Sequence, residues 1–332
     1  LNTSRLSIHD FEKGIRAGDR VILAKAITLV ESTLAEDQML ASMLLTNLLP
    51  ETGKSLRVGI TGVPGVGKST FIEAVGKHVI DNGKKLAILT IDPSSQLTRG
   101  SILGDKTRMN ELSKNPSAFI RPTAASNVLG GVASRTREAM LLCEAAGYDV
   151  IFIETVGVGQ SEISVKSMVD FFLLLMLAGA GDELQGMKKG IMEMADAVVI
   201  TKADGDNVGK ANEAMAEYQH ALHLFAESKS GWTPVVKTSS SYTGMGIEEI
   251  WNIILDHHKK TLQTGHWDEN RSLQNKTWFA EYFYRLLLSD FQNFESVQQK
   301  MEILKTGVFE NQISPPMAAK ELLEAYHLAL KK

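Results

Sequence analysis

At 332 residues, 44% of them hydrophobic and 22% charged, the chain has the apolar content for one large buried core with helical additions. A formal net charge of -4 argues against an electrostatic nucleic-acid binder, whose footprint is a basic stripe or a clearly basic domain. A single cysteine, Cys143, excludes an intramolecular disulfide and suits a reducing cytoplasm.

In chain order, the N-terminus carries no basic region followed by an apolar run, so no secretory signal is expected. The stretch to about Pro50 is helical in pattern, with Ala24, Ile27, Leu29 and Val30, then Leu40, Met43, Leu44 and Leu48. Glu51-Thr52-Gly53-Lys54 is a polar, glycine-bearing break, so residues 1–54 are expected to form a helical extension.

From Leu56 onward strands and helices alternate: Arg57 to Thr61 (strand), Ser69 to Asn82 (helix), Leu86 to Ile91 and Phe119 to Arg121 (strands), and Ala133 to Ala146 (helix). That helix holds Cys143 in an apolar setting, which reads as a small core residue rather than a reactive thiol. Val150 to Glu154, Phe171 to Leu177, Ala197 to Thr201 and Pro234 to Lys237 are further strands. The alternation predicts an α/β fold, a doubly wound and mostly parallel sheet over residues 55–264. The most apolar run, Val169 to Ala180, contains Asp170 and is shorter than the about twenty residues of a membrane span; a strand covered on both faces fits it.

After about Gly265 the strand signals stop. Trp278, Phe279, Tyr282, Phe283, Leu286 and Leu287, then Val297, Met301 and Leu304, then Ala318, Leu322, Leu323, Tyr326 and Leu330 recur at helical spacing, which predicts a helical appendage over 265–332. Its aromatic residues exceed what a surface helix needs, leaving two readings open: packing back onto the domain, or a dimer interface.

Gly62-Val63-Pro64-Gly65-Val66-Gly67-Lys68-Ser69 follows a predicted strand, opens into a predicted helix and has the full spacing of a phosphate-binding loop. Its glycines let backbone N-H groups turn toward phosphates, the helix N-terminus adds partial positive charge, Lys68 pairs with the outer phosphates and Ser69 can ligate magnesium. Val63 stands where the deviant loop of MinD-like ATPases carries a second lysine, which disfavours that branch. Two strand-terminal acids, Asp92 and Glu154, fall at the sheet edge where ligands of open parallel sheets gather. Each alone reads equally as a helix cap or a solvated strand end; beside a phosphate loop they point to metal and water chemistry. Gly157 then offers a backbone N-H near the terminal phosphate.

Thr201-Lys202-Ala203-Asp204 ends a predicted strand and lies close to the N-K-x-D element of guanine recognition. The Asp204 carboxylate can accept guanine N1-H and N2-H, and Lys202 can lay its stem along the base. Thr201 replaces the usual asparagine, which leaves the contact to N7 and the loop-to-loop tether open. Val236-Lys237-Thr238-Ser239-Ser240 sits where a loop closes over the base.

Together, Gly62 to Thr70, Ile91-Asp92-Pro93-Ser94-Ser95, Glu154-Thr155-Val156-Gly157-Val158-Gly159-Gln160-Ser161-Glu162 and Thr201-Lys202-Ala203-Asp204-Gly205-Asp206-Asn207 resemble the ArgK/MeaB family, and the resemblance extends over nearly the whole chain. It implies a GTPase, using GTP/GDP and Mg2+, that acts as a cytoplasmic chaperone for adenosylcobalamin-dependent methylmalonyl-CoA mutase and is homodimeric through its C-terminal helices. It implies switch I over Asp92 to Arg108, containing Asp105, and switch II over Glu154 to Glu162. Gly179 to Gly190 resembles the family's extra, partner-read switch, with Lys188 foremost; by its residues alone it is an ordinary glycine-rich, charged loop. The expected catalytic set is Lys68, Asp92, Asp105, Glu154 and Lys188. Ser69, Asp92 and Glu154 are the expected metal ligands, and Gly62 to Thr70, Gly157, Thr201, Lys202, Asp204, Ser239 and Ser240 the nucleotide contacts.

Two other activities compete. An ATP-dependent kinase tied to lysine, arginine and ornithine transport is disfavoured by Thr201-Lys202-Ala203-Asp204. A nickel metallochaperone GTPase needs a ligand cluster, and one cysteine plus His257-His258, read as a solvated helical pair, does not supply it. A binding module that hydrolyses GTP poorly is the remaining class.

Overall fold

The computed structural model describes residues 6–92, 109–124, 131–155, 161–179, 189–222 and 230–331, with 92, 123, 124, 131–134, 161 and 189 described by backbone alone. They divide into two compact units, Leu1–Gln274 and Asn275–Lys332.

The first unit opens with helices α1 (Ile8–Arg16), α2 (Arg20–Glu31) and α3 (Ala35–Leu48). Side chains satisfy the backbone donors that a helix start leaves unpaired: Ser7 and Asp10 bond reciprocally in a capping box, and the Asp19 carboxylate accepts from the Val21 and Ile22 amides at 2.8 and 3.1 Å.

Among the described residues seven strands follow: β1 (Leu56–Gly62), β2 (Leu86–Asp92), β3 (Ala118–Ala124), β4 (Val150–Thr155), β5 (Phe171–Leu177), β6 (Ala197–Thr201) and β7 (Val235–Thr238). They pair in the order β3-β2-β4-β1-β5-β6-β7, and every pairing is parallel. Between them run α4 (Lys68–Asp81), α5 (Gly131–Ala145), α6 (Ser161–Lys166), α7 (Lys189–Met194) and α8 (Val208–Leu222), with α9 (Ile247–Gln263) and α10 (His266–Asn293) after β7.

Strand alternation explains the apolar runs. In β4, Val150 and Phe152 face one core with Val58, Ile60, Phe71 and Trp251, whereas Ile151 and Ile153 face the other with Leu23, Ile27, Leu44 and Cys143. Helices α1 to α3 therefore belong to the core of the sheet domain, packed over α5 on its second face. Cys143 is fully buried there, and burial pushes its thiol far up, the behaviour of an inert core residue.

Asp170, which broke the apolar run, anchors a buried charge cluster at the N-terminal ends of the strands. Its carboxylate accepts from the Arg57 amide at 2.8 Å and from Nε and Nη2 of Arg271, on α10, at 2.6 and 2.7 Å. Glu144 accepts from Arg57 Nε and the Gly53 amide, both at 2.7 Å. His257 and His258 are not a solvated pair. His257 is 3% exposed and lies edge-on to Phe171 and Trp232, while His258 packs against Trp267. Helix α9 is amphipathic, and position 257 falls on its buried stripe with Ile250, Ile254 and Thr261.

In the second unit, the rest of α10 is followed by α11 (Glu295–Phe309) and α12 (Pro315–Ala329). Tyr326 centres it, donating to Asp290 Oδ2 at 2.7 Å with its ring against Phe291 and Phe294. Phe279, Phe283, Tyr284, Leu287, Phe309 and Leu323 remain exposed.

Candidate functional site

The carboxyl ends of the parallel strands place Gly62, Asp92, Thr155, Leu177, Thr201 and Thr238 along one sheet edge, and β1 lies centrally between β4 and β5. The phosphate loop leaves β1 at Gly62, where a Cβ would collide with the Leu175 carbonyl on the adjacent strand. It enters α4 through Gly67, whose φ of +90° is costly for any residue with a side chain. Val63 and Val66 turn into the core, while Pro64, Gly65 and Thr70 face solvent.

Lys68, the first residue of α4, folds back over the loop and donates from Nζ to the Gly62 and Val63 carbonyls at 2.8 and 3.2 Å. Burial holds its ammonium below the ordinary lysine value, with Glu154 and Glu162 pulling the other way. Ser69 Oγ donates to Glu154 Oε1 at 3.2 Å, so the hydroxyl of the phosphate loop and the acid ending β4 meet. Glu154 is 8% exposed. One residue on, Thr155 donates to Thr61 Oγ1 at 2.7 Å, tying the ends of β4 and β1, a contact that nothing in the sequence around Thr155 signals.

On the base side, Thr201 Oγ1 donates to the Val66 carbonyl at 2.8 Å, with the Met176 carbonyl 3.3 Å away. Threonine therefore makes the loop-to-loop tether left open by the missing asparagine. Lys202 Nζ adds a bond to the Gly65 carbonyl at 2.8 Å. Ser240 Oγ donates to Asp204 Oδ2 at 2.5 Å, and the Ala203 amide bonds the Ser239 carbonyl at 3.0 Å, so the ends of β6 and β7 hold the Asp204 carboxylate in place. Ser239 and Ser240 are fully buried.

The structure thus brings together Gly62 to Thr70 with Glu154 on one side and Thr201, Lys202, Asp204 and Ser240 on the other. Asp92 ends β2 at the same sheet edge, described by backbone only. Asp105, Gly157 and Lys188 lie outside the described residues, as do 93–108 of switch I, 156–160 of switch II and 180–188 of the glycine-rich loop.

Among known proteins, the family described as "Methylmalonyl Co-A mutase-associated GTPase MeaB" matches residues 23–295. A "Putative GTPase" of Caulobacter vibrioides is 48% identical over 97% of this chain and 99% of its own length. "GTPase ArgK" of Escherichia coli is 46% identical over 93% of this chain and 94% of its own. The mouse "Methylmalonic aciduria type A homolog, mitochondrial" is 45% identical over 94% of this chain and 78% of its own. Among solved structures, an "LAO/AO transport system kinase" superposes with a TM-score of 0.77 at 38% identity, covering 97% of this chain and 99% of that one.

Proposed function

The chain belongs to the family of methylmalonyl-CoA mutase-associated GTPases, and from that premise we propose that it serves as a chaperone for an adenosylcobalamin-dependent methylmalonyl-CoA mutase, gating cofactor loading through GTP binding and slow hydrolysis. The family's description and the name of the mouse relative support the choice of partner.

One observation carries the nucleotide site: Thr201 bonds the phosphate loop at 2.8 Å, and three residues later Asp204 is held by Ser240. A carboxylate held three residues beyond a strand end that is tied to the phosphate loop can accept both guanine N-H groups while the loop cradles the phosphates. Ser239 and Ser240 close the base side. With nucleotide bound, Lys68 would exchange the Gly62 and Val63 carbonyls for the outer phosphate oxygens, and Gly157 is the proposed backbone donor to the terminal phosphate.

The donors present fit magnesium. Magnesium takes oxygen ligands, and the Ser69 hydroxyl and the Glu154 carboxylate meet at 3.2 Å. Ser69, with Glu154 and Asp92 directly or through water, would hold the ion, which when bound neutralises charge on the phosphates. Asp105 and Lys188 complete the proposed catalytic set. β5 ends at Leu177 on the site edge, and Gly179 to Gly190, the next segment in the sequence, is the proposed switch through which a partner biases the nucleotide.

The exposed Phe279, Phe283, Tyr284 and Leu287 support homodimerisation through 265–332. Among the described residues no helix is long and apolar enough to cross a membrane, and the cytoplasm is the proposed compartment.

Nucleotide competition tests the site. Asp204→Asn should weaken GTP and improve xanthosine triphosphate, since the amide presents a donor to the extra carbonyl of xanthine. Equal, tight binding of ATP and GTP by the unaltered protein would overturn the guanine assignment. Light scattering should give twice the chain mass; a monomer at micromolar concentration removes the dimer.

A further inference from the structure

Asn207 closes the Thr201-Lys202-Ala203-Asp204-Gly205-Asp206-Asn207 segment and touches neither the phosphate loop nor the Asp204 carboxylate in any bond described above. Its side chain nevertheless has a definite partner: Nδ2 donates to the Lys202 carbonyl at 2.7 Å. Its own amide donates to the Asp204 carbonyl at 3.0 Å, so the turn carrying Asp204 is closed by both side chain and backbone.

Lys202 is the residue that needs such help. Its φ is +57°, in the left-handed region that side-chain-bearing residues avoid. From that conformation its ammonium reaches the Gly65 carbonyl at 2.8 Å, across 137 positions of sequence. Backbone held in a disfavoured region persists where surrounding bonds over-determine it, and the Asn207 side chain supplies a bond to the Lys202 carbonyl.

We propose that Asn207 is a positioning residue of the nucleotide site: by bonding the Lys202 carbonyl it sets the left-handed turn from which Lys202 latches the phosphate loop. The proposal rests on the reading of Lys202 and Asp204 as the guanine-binding pair. Asn207 acts through Lys202 and makes no contact with nucleotide.

A double-mutant cycle in the full-length chain tests it. Asn207→Ala, the near-isosteric Asn207→Asp, Lys202→Ala and the Asn207→Ala/Lys202→Ala pair are titrated with fluorescent GDP and GTP analogues, and their melting temperatures are measured. Loss of one such bond should weaken GDP and GTP alike by roughly 5- to 10-fold in both Asn207 variants, with little change in melting temperature. Asn207→Ala should cost less than about 2-fold when Lys202 is already alanine, because residues acting as one unit are not additive. Full additivity, affinity within about 2-fold of wild type, or a loss that appears only alongside a matching fall in melting temperature overturns the proposal. Asp204→Asn, assayed against xanthosine triphosphate, keeps the two readings apart: if it fails to switch base preference the guanine assignment falls, whereas the cycle reports on Asn207 and Lys202.

Discussion

Thr201→Val removes one hydroxyl at constant shape and asks whether the base and phosphate halves of the site are mechanically joined. Thr201 is 3% exposed, and its hydroxyl bonds the Val66 carbonyl at 2.8 Å, with the Met176 carbonyl a longer branch at 3.3 Å. A net hydrogen bond contributes about 0.5–1.5 kcal/mol, and leaving a buried acceptor unmet costs about 1–3 kcal/mol. Folding stability should therefore fall by about 1–2 kcal/mol in urea titration. Lys202 still holds Gly65, so only part of that cost reaches nucleotide binding; about 1 kcal/mol corresponds to roughly 5-fold weaker GDP and GTP. The preference for guanine over adenine should not move, because Asp204 and Ser240 are untouched, and Thr201→Ser should behave as wild type. Unchanged affinity in Thr201→Val, or loss of guanine preference with phosphate affinity intact, refutes the tether and makes Thr201 a base contact.

Three other outcomes follow from named contacts. Asp170→Ala removes two of the bonds to Arg271, which keeps the Ser55 carbonyl at 2.8 Å and Glu144 at 3.7 Å, and leaves the Arg57 amide without its acceptor, so denaturant unfolding should register a loss of about 2–4 kcal/mol; a change under about 1 kcal/mol contradicts the buried charge cluster. Burial lowers the His257 pKa from its ordinary 6.5, against Asp196 and Asp170, so the folded state favours the neutral ring. Its contribution to stability is complete above that ordinary value and is lost as pH falls toward the folded-state pKa. His257→Gln should accordingly flatten the decline in stability as pH falls below the ordinary histidine value, and a decline as steep as wild type rejects the assignment. Lys68→Ala should abolish hydrolysis, and Glu154→Gln should slow it by at least about 10-fold while weakening GDP binding much less; wild-type turnover in either variant refutes that residue's role.

Much of this architecture was legible because local chemistry and global fold agree. Continuous apolar runs such as Phe171–Leu177 mark strands covered on both faces, and the glycine spacing of Gly62 to Ser69 follows from a backbone that must turn at Gly67 and pass under Leu175. The strand-end acid Glu154 was visible for the same reason. What stayed hidden depends on distance through space. Thr201 and Val66 are 135 positions apart, and only the β1-β5-β6 order brings them into contact. Arg271 meets Asp170 across 101 positions, and nothing in a helical aromatic stretch marks that arginine. His257-His258 reads as polar because composition does not reveal which stripe of α9 is buried.

The proposal that GTP turnover by this chain answers to a mutase partner is tested most directly by single-turnover hydrolysis of GTP, with and without adenosylcobalamin-dependent methylmalonyl-CoA mutase at one salt concentration. Alone, the chain should hydrolyse GTP at the slow rates of unassisted switch GTPases, on the order of 10^-4 to 10^-2 per second. Added mutase should accelerate the reaction, and Gln185→Ala/Lys188→Ala should lose that acceleration while keeping the intrinsic rate. Identical rates with and without the mutase contradict the account.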